Sequence, residues 1–376
     1  MNVQHPLLLQ IDINNCNNIH DAYNRILNLG LNAKIHDTNI IVKYPKNKKY
    51  SEEDYILKSR GIIIDFTNKA IINRSLDGCL SLNSFLKKVP DWDSIVIEEC
   101  LDGTLINMYY YDNKWMISTK YCIDASESKF KSDTNFRDLF LNSFSINYDL
   151  LDKSYTYSFL LQHTETRNVS PINRNKLYHI ESTNNVTGEK VQIKLEGIEN
   201  PKIIKYKNII NKLNVQNIND LQNKMINLNW SNPGYILYSL DRKYRAKIEN
   251  PNFNKVLDLV KNQTNIKYLL LESLFKKNNI KDILRYYPEY SRKSVEINND
   301  FINYSTELLN LYIKCKVNNN FVKLKKNFKK PICDLHNLFK KSREDKRFDF
   351  KINFNIVCDL LRSYDASYLY SIIYPR

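Results

Sequence analysis

Apolar residues follow two different periods along this chain. Up to about residue 250 they come in short β-branched and aromatic runs: "TNIIVKY", "SRGIIIDF", "KAIINRS", "DSIVIEEC", "TLINMYYY", "KWMISTK", "YTYSFLLQH", "KLYHIES", "GYILYSL" and "YRAKIEN". Asn, Asp, Gly and Pro bound these runs, so each reads as a strand. Spacings of three and four in "NIHDAYNRILNLG" and "NINDLQNKMINL" predict helices between them. From about residue 254 the helical spacing takes over, in "IKYLLLESLFKKNNIKDILRYYPEY", "NDFINYSTELLNLYIKCKV" and "NFNIVCDLLRSYDASYLYSII", with Pro288 and Asn-rich turns between segments. The pattern predicts an α+β domain with antiparallel sheets over residues 1–253 and a small all-α domain over 254–376.

Composition narrows the function. The 376 residues allow two cores, and 43% hydrophobic content supports them. Gly is scarce at 7 residues and neither GxGxxG nor GxxxxGK[ST] occurs, which removes dinucleotide and P-loop sites. A formal charge of +15 implies an acidic partner such as nucleic acid. The alternative is codon usage, since Asn, Ile, Lys and Tyr are all abundant, as in an AT-rich genome. The 7 cysteines form no CxxC pair, which indicates a reducing compartment, no structural zinc and no metal cofactor. No apolar run reaches the ~18 residues of a membrane span, and the first residues lack a leader pattern. A cytoplasmic location is expected, with no membrane partner.

The chemistry concentrates in "IVIEECLDGTLINMYYYDNKWMISTK", residues 95–120: a strand, a turn at Asp102-Gly103 and two more strands. Upstream stands Arg60-Gly61. Downstream come Lys120, then Phe159, His163 and Arg167 in "SFLLQHTETRNV", then "PGYI" from Pro233, then Arg245-Ala246-Lys247. In this order the segments resemble the motifs of the phage-type RNA ligases, in the superfamily of covalent nucleotidyltransferases, over roughly residues 35–255. The resemblance implies an ATP-grasp-like nucleotidyltransferase fold in the first domain. It also implies that Arg60, Asp102, Lys120, His163, Arg167, Arg245 and Lys247 face a nucleotide or RNA strand.

The departures bear on activity. The family's nucleophilic lysine, which attacks the α-phosphorus of ATP, is matched by Cys100. Its two acidic positions are matched by Leu160 and Pro233. Phosphoryl transfer depends on placed charge, so the joint loss implies a pseudoenzyme with no bound cofactor. The alternatives are a Cys100 thiolate activated by Lys120, Arg245 and Lys247, or another non-standard nucleophile. In the plainer readings Cys100 is a buried space-filler, Asp102-Gly103 a hairpin turn, His163 and Arg167 a core pair, and Arg60 half of a salt bridge. Arg245 and Lys247 lie two apart on a strand and so share a face, inward towards an anion or outward to water.

The tail from Lys314 to Lys351 holds thirteen Lys or Arg against four Asp or Glu, with Phe321, Phe328 and Phe339 among them. Lysines neutralise phosphates and aromatics stack on unpaired bases. Lys323, Lys325, Lys326, Lys329 and Lys330 are therefore expected to bind RNA; the alternative is a wet amphipathic helix. The resulting expectation is a viral RNA-binding pseudoenzyme derived from an RNA ligase, recognising a 5′ end, capped mRNA or structured RNA, with protein partners in a viral complex. A cap-binding protein of translation initiation would use aromatics such as Tyr109, Trp115, Tyr157 or Trp230. An active ligase and a pure scaffold are the other rivals.

Overall fold

In the computed structural model, residues 5–43, 52–145, 147–205, 215–261, 263–317, 323–345 and 349–375 are described. Residues 1–258 and 259–376 are two compact units. The change of period at residue 254 falls within one helix, Pro251–Val260.

Thirteen strands of the first unit are arranged in three sheets whose named strand pairs are all antiparallel. Sheet one is β1 (Asn32–His36), β2 (Asn39–Lys43), β3 (Ile63–Asp65) and β4 (Ala70–Asn73), in that order. Sheet two contains β6 (Thr104–Tyr111), β7 (Lys114–Thr119), β8 (Tyr155–Gln162), β9 (Lys176–Asn184) and β10 (Lys190–Val191), ordered β10-β9-β8-β6-β7. Sheet three contains β5 (Ile95–Glu99), β11 (Ile203–Lys205), β12 (Gly234–Ser239) and β13 (Arg245–Glu249), ordered β11-β5-β12-β13.

Helices cover one side of each sheet. Helices α1 (Pro6–Gln10), α2 (Ile19–Asn28) and α3 (Asp54–Leu57) bury Leu7, Ile26 and Ile56 with Ile40, Val42 and Ile64 of sheet one. On sheet three, α4 (Leu82–Lys88) buries Phe85 against Ile97, Leu237 and Ala246. On sheet two, α5 (Phe136–Leu141) stacks Phe140 near Phe144 and Phe159. Residues α6 (Ile218–Ile226) adds to the third sheet's core Leu221 and Met225. The alternation of β8 divides Tyr157, Phe159 and Leu161, facing the helical side, from Leu160 on the opposite face.

The Asp102-Gly103 step is not a hairpin turn. β5 belongs to sheet three and β6 to sheet two, so the two residues carry the chain from one sheet to the other. Gly103 is required by close approach: a Cβ there would lie 2.6 Å from the Leu161 carbonyl oxygen.

The second unit is helical: α7 (Pro251–Val260) leads into it, followed by α8 (Ile266–Glu272), α9 (Ile280–Tyr286), α10 (Ser291–Tyr312), α11 (Lys326–Glu344), α12 (Phe354–Ser363) and α13 (Ala366–Ile373). Along α10, Ile297, Phe301, Tyr304, Leu308 and Tyr312 recur at three and four and are buried. Phe301 stacks on Phe275 at 4.1 Å and Tyr304 on Phe328 at 4.7 Å. Pro331 lies inside α11, where it has no N–H to give the Asn327 carbonyl. Tyr304 supplies the missing donor, its hydroxyl 2.8 Å from Asn327 O.

Gly234 opens β12 at φ +124°, and a Cβ there would meet the Ile248 carbonyl oxygen at 2.0 Å. Replacing Gly234 with Ala therefore strains the backbone and forces β12 from β13. The expected loss is about 3 kcal/mol or more, read as a fall in the urea midpoint of the first unit's transition.

Candidate functional site

The inner face of sheet three is set by its register. Tyr238 stands opposite both Val96 and Arg245, and Ile236 opposite both Glu98 and Lys247. Cys100 follows β5 and donates its N–H to Gly234 O at 2.9 Å. Arg245 and Lys247 thus project from one face of β13, beside Tyr238, Ile236 and Cys100.

A buried ionic cluster joins this face to sheet two. Arg242, in the β12–β13 turn, places Nη1 2.7 Å from Glu98 Oε1 of β5 and Nε 3.1 Å from Glu181 Oε2 of β9. Its guanidinium centre lies 3.8 Å from the centroid of Tyr238. Lys190 of β10 continues the cluster, 2.5 Å from Asp77 and 3.7 Å from Glu181 Oε1. Sequence reading missed all five ionic residues. The one available signal was Glu98, an acid inside an otherwise apolar run.

Arg245 is 8% exposed. Its Nε and Nη1 are buried without an acceptor among the described residues, and the Cys79 thiol is its hydrogen-bonding neighbour. A guanidinium is charged at any working pH, so this site holds a buried cation with unused donors. Lys247 is more open and 3.5 Å from Glu249.

Cys100 is half-buried, and burial raises its thiol pKa above the ordinary value against the pull of Lys247 and Arg245. The cations therefore do not activate the sulfur, contrary to the thiolate alternative; at neutral pH it is a thiol. Leu160, at the family's acidic position, packs with Leu76, Leu101, Leu105, Tyr178 and Ile180. The space between the sheets is apolar there.

Asp102 is buried, and its Oδ2 accepts the N–H groups of Val169 and Ser170 at 2.8 Å each, while Oδ1 accepts from Asn168 at 3.2 Å. It holds the loop after β8. His163 caps the short helical turn of that loop: Nδ1 accepts from Glu165 N, and burial lowers its pKa. The ring is thus neutral at pH 7, with its proton on Nε2. Arg167 donates Nε and Nη2 to Val169 O, bracing the same loop. These three residues meet, and their bonds order backbone.

Arg60, in the segment before β3, and Lys120, just after β7, stand together. Gly61, at φ +72°, lets its backbone approach Lys120 Cα, which would be 3.0 Å from a Cβ. Burial, then the charge of Arg60, lowers the Lys120 pKa to about 8. Two half-buried cations are side by side.

The aromatics expected to sandwich a cap are differently placed. Tyr109 and Tyr157 are core, 0% and 2% exposed. Trp115 is half-buried and packs edge-on against Tyr110 and Tyr157, so its ring lies in a protein contact. Trp230 is half-buried in the segment before Pro233. In the helical unit Lys323, Lys325, Lys326, Lys329 and Lys330 are exposed on or just before α11. Phe328 is not available for stacking on a base, being buried against Tyr304. Phe339 is half-buried under Arg343 at 5.0 Å, and Phe321 lies outside the described residues.

Replacing Arg242 with Met would remove the charge over Tyr238 and leave Glu98 buried without its cation and Glu181 with Lys190 alone. The expected cost is about 3–5 kcal/mol, measured by urea unfolding. Adding Glu98→Gln and Glu181→Gln to that variant should recover part of the loss.

No family model matches the chain. It is similar to a protein of Autographa californica nuclear polyhedrosis virus named a putative bifunctional polynucleotide kinase/RNA ligase, 22% identical over 294 residues, 71% of this chain and 40% of that protein. It is also similar to an immediate-early protein ICP-46 homolog of Invertebrate iridescent virus 6, 26% identical over 295 residues, 69% of this chain and 61% of that protein. The chain thus spans less than two thirds of either relative's length. Among solved structures, an archaeal ATP-dependent RNA ligase superposes with TM-score 0.45 at 10% identity, over 78% of each chain. An ATP-dependent DNA ligase from Aquifex aeolicus gives 0.42 at 14%, over 76% of this chain and 79% of that one. Motif order thus agrees with one of the two viral relatives, the one named as a putative polynucleotide kinase/RNA ligase.

Proposed function

We propose that this protein binds RNA, holding a phosphate-bearing nucleotide or RNA end in the cleft between its second and third sheets without covalent catalysis. The observation that carries this reading is Arg245, a buried guanidinium with two nitrogens that lack acceptors, on the face shared with Lys247 and Cys100. A buried cation with unused N–H groups is costly until an anion meets it. Phosphate oxygens match a guanidinium fork.

The same face supports binding over reaction. Position 100 carries a protonated thiol, and Leu160 and Pro233 supply no carboxylate to hold a metal. Leu105, Leu160 and Tyr178 fill the neighbouring space. That filling favours a ligand that presents a terminal phosphate over one that must bury a base. In the helical unit the exposed lysines of α11 would add sequence-independent affinity for the RNA backbone.

Incubation with α-labelled ATP or GTP and Mg²⁺ should leave no label on the denatured protein, while 5′-phosphorylated RNA should bind. Arg245→Met should weaken that binding by about 1.5–3 kcal/mol, one charge-assisted contact, read on protein whose folding is checked by urea unfolding, since Arg245 also balances the buried carboxylates. A covalent adduct would overturn the reading in favour of an active ligase, and equal affinity of 5′-phosphorylated and 5′-hydroxyl RNA would remove the cleft from it.

Lys120 makes the binding pH-dependent. With its pKa lowered to about 8, it is charged below that pH and neutral above it. With the 5′-phosphate fully ionised above about pH 7, affinity for 5′-phosphorylated RNA is therefore expected to hold to about pH 7.5 and to fall through pH 8–9 as the ammonium loses its proton. In Lys120→Met the fall should disappear, as isothermal titration across the series would register.

A further inference from the structure

The exposed lysines of α11 in the helical unit have two tyrosine rings beside them. Tyr364 and Tyr368, at the start of α13, meet edge to face with centroids 4.9 Å apart at 79°. Both rings are half-buried. The Tyr364 hydroxyl donates to Asp334 Oδ2 of α11 at 2.7 Å, and burial together with this bond keeps the phenol protonated. Lys330 of α11 is exposed, and its ammonium lies 4.6 Å from the Tyr368 centroid and 5.8 Å from that of Tyr364.

The electrostatics here are one-sided. From Lys323 to Cys333 the chain has five lysines and no acid. The first acid after them, Asp334, accepts the Tyr364 hydroxyl and places its negative charge beside both rings, one anion against the five lysines. The other tyrosine group of α13 is different. Tyr370 and Tyr374 have their hydroxyls bound to Asn265 and Asp300, and Glu296 lies near Tyr374. Lys267 lies 4.9 Å from the Tyr374 ring, but two acids stand near that ring, whereas on the Lys330 side five lysines stand against Asp334.

We propose that Lys330, Tyr364 and Tyr368 form a stacking seat for an unpaired base of single-stranded RNA, with Lys326 and Lys329 holding the adjacent phosphates. This rests on the RNA-binding reading above and names where the helical unit makes base contact. Rigid rings lose little entropy on binding. Stacking tolerates any base, while an adjacent ammonium neutralises the backbone. Tyr364 is pinned by Asp334, and α11 is held at its first turns by the Tyr304 hydroxyl and the Phe328 stack. The seat is thus formed before the ligand arrives. RNA moves the lysine from the ring to a phosphate and places a base where the ammonium stood.

The full chain should be titrated, by fluorescence polarisation, with labelled oligouridylate and with the same backbone bearing abasic sites. In the parent protein the abasic probe should bind on the order of tenfold more weakly. Tyr368→Leu, which keeps an apolar side chain in the helix contact, should lose about the same factor for oligouridylate and almost nothing for the abasic probe. Lys330→Gln should reduce the salt slope of binding by about 0.7. Should Tyr368→Leu melt early, photocrosslinking of the parent to 5-iodouridine RNA answers instead, with adducts expected on Tyr364 or Tyr368. Equal binding of both probes by the parent, or adducts confined to other residues, makes the tyrosines a helix contact and overturns the seat alone. If neither probe binds the parent, the RNA-binding reading falls and the seat with it.

Discussion

The first unit depends on one guanidinium. Arg242 reaches from the end of sheet three to Glu98 in the same sheet and Glu181 in sheet two, and lies flat on Tyr238. Burying two carboxylates costs several kcal/mol each unless a cation with matched donors neutralises them. A planar fork can satisfy both at once from one rigid group, with donors on separate nitrogens aimed at each carboxylate. Because Lys190 and Asp77 extend the cluster, three carboxylates stand against Arg242 and Lys190. Arg245 brings the local charge to zero, yet its own N–H groups stay unmatched. Charge balance and hydrogen-bond balance have separated at this residue. The cluster is thus neutral in charge while one of its cations keeps unused donors.

The same balance of charge applies at the positions where the sequence departs from the ligase motifs. Leu160 occupies the acidic position and continues an apolar surface across Leu105 and Tyr178. A carboxylate there would need a metal or cation; a leucine needs neither. The thiol at position 100 is similarly undemanding, since burial keeps it neutral. Asp102 persists for a different reason. Two backbone N–H groups of the 168–170 loop end on its carboxylate, and both would be buried without acceptors if it were lost. Its retention is thus accounted for by the loop, independently of any nucleotide.

Strand positions were legible because alternation and composition agree along β2 to β9 and along β12 and β13. β1, "NAKIH", escaped notice because it is an edge strand whose faces are half-buried at best. β10 and β11 are two and three residues long, too short for any period. The Asp-Gly step misled because its dipeptide preference is local, whereas the switch between sheets is tertiary. Arg242 was illegible for the same reason: its partners lie 61 and 144 residues away in sequence. Arg245 and Lys247 were visible because strand geometry alone puts residues two apart on one face. These two residues of the candidate site were therefore easier to read than the scaffold that holds them.

Pro331 shows the converse in the helical unit. By local rules a proline five residues into a helix ends or kinks it, at a cost of about 3 kcal/mol. Here the carbonyl it deserts, that of Asn327, accepts from the Tyr304 hydroxyl of α10. A side chain 23 residues earlier thus repairs the ladder, and the repaired helix runs to Glu344. Continuity has a geometric consequence. Lys326, Lys329 and Lys330 fall three and four apart on one face of a single rigid element, while Phe328, Ile332 and Leu335 are buried on the other. In a broken helix the same lysines would splay, and a basic stretch would be only a flexible charge. Fixed on α11, the charges have a spacing, and a phosphate backbone has one too.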